Sequence, residues 1–211
     1  MNLFNYYWYF ENALSPKLCD DIIKYGNLQQ ESLGLIGGVS EKANKGIPLN
    51  EADLKHLKKK RDSNVVWLNE RWIYKEIHPY THIANRNAHW NFEWNFSEAA
   101  QFTKYKLNQY YDWHTDSWNT PYPSDKQKEM RGKIRKLSTI CVISDKSDYE
   151  GGELEFQYRN KDDPNPSDIC PHTEKRGTII VFPSFIWHRV KPVTSGNRYS
   201  LVTWHLGEPF K

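Results

Sequence analysis

Cysteine is scarce in this chain: only Cys19, Cys141 and Cys170, odd in number and widely spaced. That argues against a disulfide framework and supplies no Cys-x-x-Cys zinc pattern. Cys170 and His172 are spaced to share a metal, but they lack two further ligands nearby. Long apolar runs are missing as well. Nothing approaches the ~20 residues that cross a bilayer, and the start, Met1 to Trp8, has neither the basic nor the apolar region of a secretory signal. The expectation is a cytoplasmic protein with no membrane partner. A large excess of one charge is also absent: the formal net charge is +3. The basic run Lys58 to Arg61 reads as a solvated face, so nucleic acid is not an expected partner. The glycines at 34, 37, 38 and 46 lack phosphate-loop spacing and mark a turn-rich loop over 33–46, flanking a short strand. No repeat, low-complexity tract or linker divides the chain. One domain spanning 1–211 is expected, with helical support over about 1–90 and a catalytic core over about 91–211. Composition does not fix an oligomeric state.

What is present is aromatic and alternating. Nine Trp and thirteen Tyr make the aromatic content high. Residues 14–26 predict a helix, with Ser15 capping, Pro16 in the first turn, Leu18 and Ile22 on one face and Gly26 at the end. A short charged helix is expected over 50–60. A longer one, capped by Ser63 or Asn64, follows, with Trp72, Ile73, Glu76, Ile77, Tyr80, Ile83 and Ala84 at helical spacing. Pro79 should kink or restart it near His78. His78, His82 and His89 read as surface or satisfied histidines. Beyond Asn87 the period changes to two: 90–96, 102–110, 137–144, 154–158, 178–182 and 198–206 predict strands, with turns at 150–153 and loops at 164–171 and 117–133. The last of these is polar and long, as functional or mobile loops are. About eight strands with no helices between them predict a mainly β fold with flanking N-terminal helices, a jelly roll or related barrel.

Within this frame residues 110–116, Tyr-Tyr-Asp-Trp-His-Thr-Asp, draw the chemistry together. Side chains two apart on a strand share a face, so His114 and Asp116 present an imidazole and a carboxylate to one side. A second histidine would complete a two-His, one-carboxylate set with open positions, the arrangement of non-haem iron. His188 is the candidate, following a strand that a barrel would place beside the one carrying His114. Ten residues on comes Arg198, which shares a face with Ser200, Val202 and Trp204. A buried cation needs an anion, and no acidic residue on that face supplies one. A guanidinium is the bidentate receptor for a carboxylate, which suggests a small dicarboxylate with one end at the metal and the other at Arg198. Ser138, on the face of Ile140 and Val142, and Tyr105 can add hydroxyl donors.

Phe102-Thr-Lys-Tyr105, Tyr111-Asp-Trp-His114-Thr-Asp116, Leu-Ser138, Asp145, Glu150-Gly151-Gly152-Glu153-Leu, Gly177-Thr, Phe182-Pro183-Ser, His188-Arg-Val, Val193-Thr, Gly196-x-Arg198 and Trp204 together form a longer pattern. It resembles the iron(II)- and 2-oxoglutarate-dependent dioxygenases, in particular their prolyl 4-hydroxylase-like branch, over residues 100–206. The resemblance implies a double-stranded β-helix with His114, Asp116 and His188 as iron ligands. It places Arg198 on the distal carboxylate of 2-oxoglutarate, and Tyr105, Ser138 and Trp204 along the co-substrate pocket. The reaction it implies is hydroxylation of a peptidyl residue, proline first, coupled to decarboxylation of 2-oxoglutarate to succinate. Iron(II), 2-oxoglutarate and oxygen would be required, with ascorbate an optional accessory. No residue beyond the metal centre is needed as a general base, and Tyr111 and Asp112 would orient the ligand strand or face substrate. Two departures stand out. Collagen-type enzymes carry a Lys nine residues past the distal His, where this chain has Arg at ten, and 117–133 holds no substrate signature. The alternatives are a non-catalytic metal- or sugar-binding jelly roll, or a dioxygenase acting on a small-molecule substrate such as a free amino acid, or on a nucleobase.

Overall fold

The computed structural model describes residues 3, 5–118, 120–157 and 167–211. The chain enters on β1 (Trp8–Phe10) and turns into α1 (Pro16–Asn27), where the Ser15 hydroxyl accepts the Leu18 amide. Gly26 does not end this helix. A Cβ there would lie 2.7 Å from the Phe102 ring, so the missing side chain lets α1 close onto the sheet. The glycine-rich stretch holds β2 (Ser32–Leu33) and then, where a loop was expected, the helix α2 (Gly37–Asn44). Poor helix formers start it, yet Val39 is buried and Lys42 pairs with Asp53 at 2.7 Å, tying it to α3 (Glu51–Lys60). Asn50 and Asp53 form a reciprocal capping box on α3.

Ser63 and Asn64 cap no helix. The chain instead forms β3 (Arg61–Asp62) and β4 (Asn64–Leu68), because Val65, Val66 and Leu68 bury themselves by pairing on the sheet. The long helix α4 (Arg71–Asn87) begins only afterwards and continues through Pro79 as one element. Its buried face is Ile73, Ile77, Thr81 and Ala84, while Trp72 and Glu76 face solvent. The aromatic stretch that follows is mostly not a strand. His89 and Asn91 take positive φ, and the Asn85 side chain bonds both the amide and the carbonyl of Phe92, winding the segment into a loop until β5 (Phe96–Ser97).

The predicted strand over 102–110 is two: β6 (Ala100–Tyr105) and β7 (Tyr110–His114), joined by a turn with Asn108 at φ 65°. Then come β8 (Ile134–Val142), β9 (Tyr149–Gly151), β10 (Leu154–Gln157) and β11 (Ser167–Ile169). Tyr158, the predicted end of one strand, and 164–166, the start of a predicted loop, lie outside the described residues, and β11 occupies 167–169 of that loop. The chain closes with β12 (Ile179–Pro183), β13 (Trp187–Val190), β14 (Val193–Gly196) and β15 (Arg198–Gly207).

The strands form two facing sheets. The larger has the order β1-β12-β8-β15-β6-β4-β2, with β5 on β15; the smaller runs β11-β10-β13-β7-β3, and β14 pairs β9. Alternation along each strand sorts the core. Leu137, Cys141, Ile179, Val181 and Leu201 face α1 and α4, where they meet Ile22, Ile73 and Ile77. Ile140, Val142, Ile180 and Phe182 face the smaller sheet and meet Leu154, Phe156 and Val190. This is the expected jelly roll, with helices covering the outer face of its larger sheet. No described helix is long and apolar enough to cross a membrane.

Candidate metal centre

His114 and His188 face each other across one rung, because β7 and β13 pair antiparallel with His114 opposite His188. The strand beside β7 is therefore the one that carries His188 itself; the preceding β12 belongs to the other sheet. Asp116 lies just past the end of β7, where its amide and that of Ser117 both donate to the Ser184 carbonyl. Its carboxylate is 3.7 Å from His114 Nε2 and 3.6 Å from His188 Nε2. These gaps are too long for hydrogen bonds, but two bonds of about 2.1 Å to a shared metal span them. The three ligand atoms lie within 4.8 Å of one another.

Each imidazole is held with its Nε2 lone pair free. His114 Nδ1 donates to the Asp112 carbonyl at 2.8 Å, and His188 Nδ1 donates to the Ile186 carbonyl at 3.0 Å. A carbonyl only accepts, so Nδ1 carries the proton and Nε2 faces the centre. Burial, reinforced by His188, holds His114 well below the ordinary imidazole range, which keeps it neutral and ligand-ready. Burial alone would raise Asp116. His188, His114 and Arg135, together with the Ser138 hydroxyl, outweigh it and leave the carboxylate ionised. Ser138 Oγ donates to Asp116 Oδ2 at 2.7 Å and contacts Ser184 Oγ at 2.9 Å.

Rings box the ligands in. Tyr111 stacks on His114 at 3.4 Å and 8°, and the Arg61 guanidinium lies 4.5 Å from the Tyr111 ring centroid. Arg61 is the last residue of the basic run expected to face solvent, yet it is 4% exposed. Its Nε donates to Ser63, which turns it inward beneath β7. Asp112 instead points outward to Lys60 at 3.3 Å.

Arg198 is 2% exposed, and its Nη1 has no hydrogen-bond partner among the described residues. The guanidinium lies 5.5 Å from the Tyr105 ring, and a Cβ on Gly152 would come within 2.7 Å of its Cδ. Tyr105 feels both the Arg198 guanidinium and the Asp116 carboxylate, so this orphaned buried cation and the three converging side chains that could hold a metal fit a small dicarboxylate that spans the two. Tyr105, its hydroxyl raised by burial, and Ser200 share this inner face.

Sequence reasoning missed Arg135. Strict alternation from Ser138 would send Lys136, not Arg135, to the inner face. The register with β15 slips there: Leu137 opposes His205, but Arg135 opposes Leu206. That bulge re-aims Arg135 inward. It donates twice to Glu98 at 2.6 Å, reaches the Asp116 carbonyl at 3.4 Å and covers the Trp204 ring at 3.9 Å. Tyr122 binds the same Glu98 at 2.8 Å and anchors the 117–133 connection. Elsewhere His78 bonds Ser97, exposed His82 stacks on Trp94, and His172 stacks on Tyr9 while pairing with Glu11.

Residues 100–206 match the family model of the 2OG-Fe(II) oxygenase superfamily. Relatives include a PKHD-type hydroxylase of Psychrobacter sp. (strain PRwf-1), 35% identical over 105 residues, 49% of this chain and 36% of that one. Another, from Sphingopyxis alaskensis, is 33% identical over 103 residues, 48% of this chain and 41% of that one. The chain thus spans well under half the length of these relatives. Among solved structures, a viral collagen prolyl hydroxylase of Paramecium Bursaria Chlorella virus-1, in its 2OG complex, superposes with TM-score 0.61 at 19% identity, covering 97% of each chain. A Pseudomonas putida prolyl-4-hydroxylase gives 0.60 at 14% identity, covering 98% of this chain and 95% of that one. At these identities the structures establish the fold. With the profile spanning half of the sequence and every strand of the metal centre, the chain belongs to the 2OG-Fe(II) oxygenase superfamily.

Proposed function

We propose that the protein is an iron(II)- and 2-oxoglutarate-dependent hydroxylase of a peptidyl residue, with proline as the leading target. His114, Asp116 and His188 hold the iron, and Arg198 takes the distal carboxylate of 2-oxoglutarate through the Nη1 left without a partner. That orphaned nitrogen carries the reading, because a binding-only jelly roll has no need of an uncompensated buried cation. Tyr105 walls the co-substrate pocket beside Arg198. Ser138 spends its hydroxyl on Asp116, so its role is to aim the carboxylate. Trp204 Nε1, buried and also without a partner among the described residues, lines the mouth under Arg135. When bound, the iron and 2-oxoglutarate supply the oxidising power, and the chain's contribution is to fix geometry and exclude water. The prolyl preference draws support from the names of the relatives and from the fold shared with prolyl hydroxylases. We further propose that residues 1–211 act as one unit, since α1 and α4 share a core with the catalytic sheet.

The test is substrate-stimulated release of succinate with a panel of proline-containing peptides, free amino acids and oligonucleotides, followed by mass analysis. Stimulation by a peptide that gains one oxygen atom is the expected result. Stimulation only by a free amino acid or an oligonucleotide would reassign the substrate, and none by any of them, with the protein folded, would favour the binding-only reading.

A further inference from the structure

Two tryptophans at the mouth of the centre are exposed at a size that a protein normally buries: Trp67 at 51% and Trp118 at 48%. Both belong to the metal side of the fold. Trp67 pairs with Gln101, Gln101 with Val202 and Val202 with Ile140, so its side chain shares the inner face of the larger sheet. Trp118 follows Asp116 by two positions. A continuous chain of contacts joins them to the site: Trp67 lies 6.0 Å from Trp204, Trp204 lies 3.9 Å under the Arg135 guanidinium, and Trp118 lies 5.6 Å from the same guanidinium. Arg135 in turn touches the carbonyl of Asp116.

Little free charge is left on this rim. Glu98 takes Arg135 through two short bonds, and the single lysine beside Trp118, Lys133, lies over the Phe96 ring, so the surface between the indoles offers flat aromatic faces and no run of free cations. A groove that tracked a phosphate backbone would need unpaired cations beside its stacking rings. Neutral aromatic grooves fit polyproline-type peptides, whose preformed helix presents proline rings on one face at little entropic cost.

Resting on the hydroxylase reading above, we infer that Trp67 and Trp118 are specificity-determining substrate contacts, one at each end of the Trp204–Arg135 stack. They grip prolines that flank the oxidised residue in an extended peptide. Each indole, about half exposed, has roughly half of an aromatic side chain's 150–250 Å² left to bury when a ring covers it.

The experiment is calorimetric titration of a short polyproline peptide into the anaerobic iron(II)–2-oxoglutarate complex of the full chain. Trp67→Ala and Trp118→Ala should each weaken binding about tenfold or more, and Trp67→Phe and Trp118→Phe should recover most of it. Neither alanine change should move the affinity for 2-oxoglutarate, because neither indole reaches Arg198. Wild-type peptide affinity in both alanine variants, or binding of a single-stranded oligonucleotide or an oligosaccharide in place of the peptide, would overturn the assignment. Failure of the iron–2-oxoglutarate complex to form would instead overturn the hydroxylase reading, and this inference with it.

Discussion

At the scale of the residue, the centre depends on groups that never touch the metal. Ser138 points Asp116, the Asp112 carbonyl fixes the tautomer of His114, and the Arg61–Tyr111 stack fixes the plane of its ring. Losing such partners typically costs a metal site roughly 10–100-fold in affinity. Ser138→Ala and Tyr111→Leu should each weaken iron(II) or cobalt(II) binding by about tenfold or more, read by metal titration of the folded protein. Unchanged affinity in both would mean that the three ligands position themselves. Arg198→Ala belongs at this scale too. It should raise the Michaelis constant for 2-oxoglutarate far more than that for the prime substrate, and equal effects on both would contradict the role given to Arg198.

At the scale of the element, what the sequence made legible follows from period and covalent spacing. His-x-Asp, the later histidine and the arginine ten residues on were readable from residue type and spacing, although Asp116 proves to lie just past β7 and Arg198 on the facing sheet. The strands β8, β12 and β15 were readable from their period. Features that depend on breaking the period were not. The bulge at Lys136 re-aims Arg135, Asn85 unwinds 90–95, and the turn at Asn108 splits one predicted strand into two. Nor could propensity foresee α2, whose glycines argue for a loop, or Arg61, whose lysine neighbours argue for solvent. Pro79 shows the converse. Tertiary packing of Ile73, Ile77 and Ala84 carries α4 past a residue that costs up to about 3 kcal/mol in a helix interior. Because Pro79 is exposed, Pro79→Ala should stabilise the protein by about 1 kcal/mol or more, seen as a raised midpoint in denaturant unfolding. A lowered midpoint would show that the proline is part of the packing. Phe102→Ala, which empties the contact with Gly26, should cost about 3–5 kcal/mol.

At the scale of the whole molecule, the outer face of the larger sheet holds a buried polar network that links α4 to β15. His205 is fully buried, with Nε2 near the hydroxyls of Thr81, Thr139 and Thr203 at 3.3, 3.1 and 3.2 Å. Its Nδ1 lies 2.8 Å from Ser97 Oγ, which His78 also contacts at 3.1 Å. Burial, with His78 and His82 adding to it, pushes His205 well below the ordinary imidazole range, and burial followed by His82 lowers His78. Both rings are therefore neutral in the fold at a pH where the unfolded chain already binds protons. Unfolding takes up protons below about pH 6.5, so stability should be full above that value and fall as pH drops through it, by up to about 1.4 kcal/mol per pH unit for His205. Denaturation midpoints in a His205→Gln variant should lose part of this acid sensitivity, and an identical slope to wild type would assign it elsewhere.

His114, Asp116, His188 and Arg198 should form one site. Anaerobic addition of iron(II) and then 2-oxoglutarate to the folded protein reads this directly through the visible charge-transfer band of the chelated complex. The prediction is a band in the wild type, no band in His114→Ala, and a band in Arg198→Ala that needs roughly 30-fold more 2-oxoglutarate or higher. No band in the folded wild type, or a band in Arg198→Ala that saturates at the wild-type concentration, would contradict it.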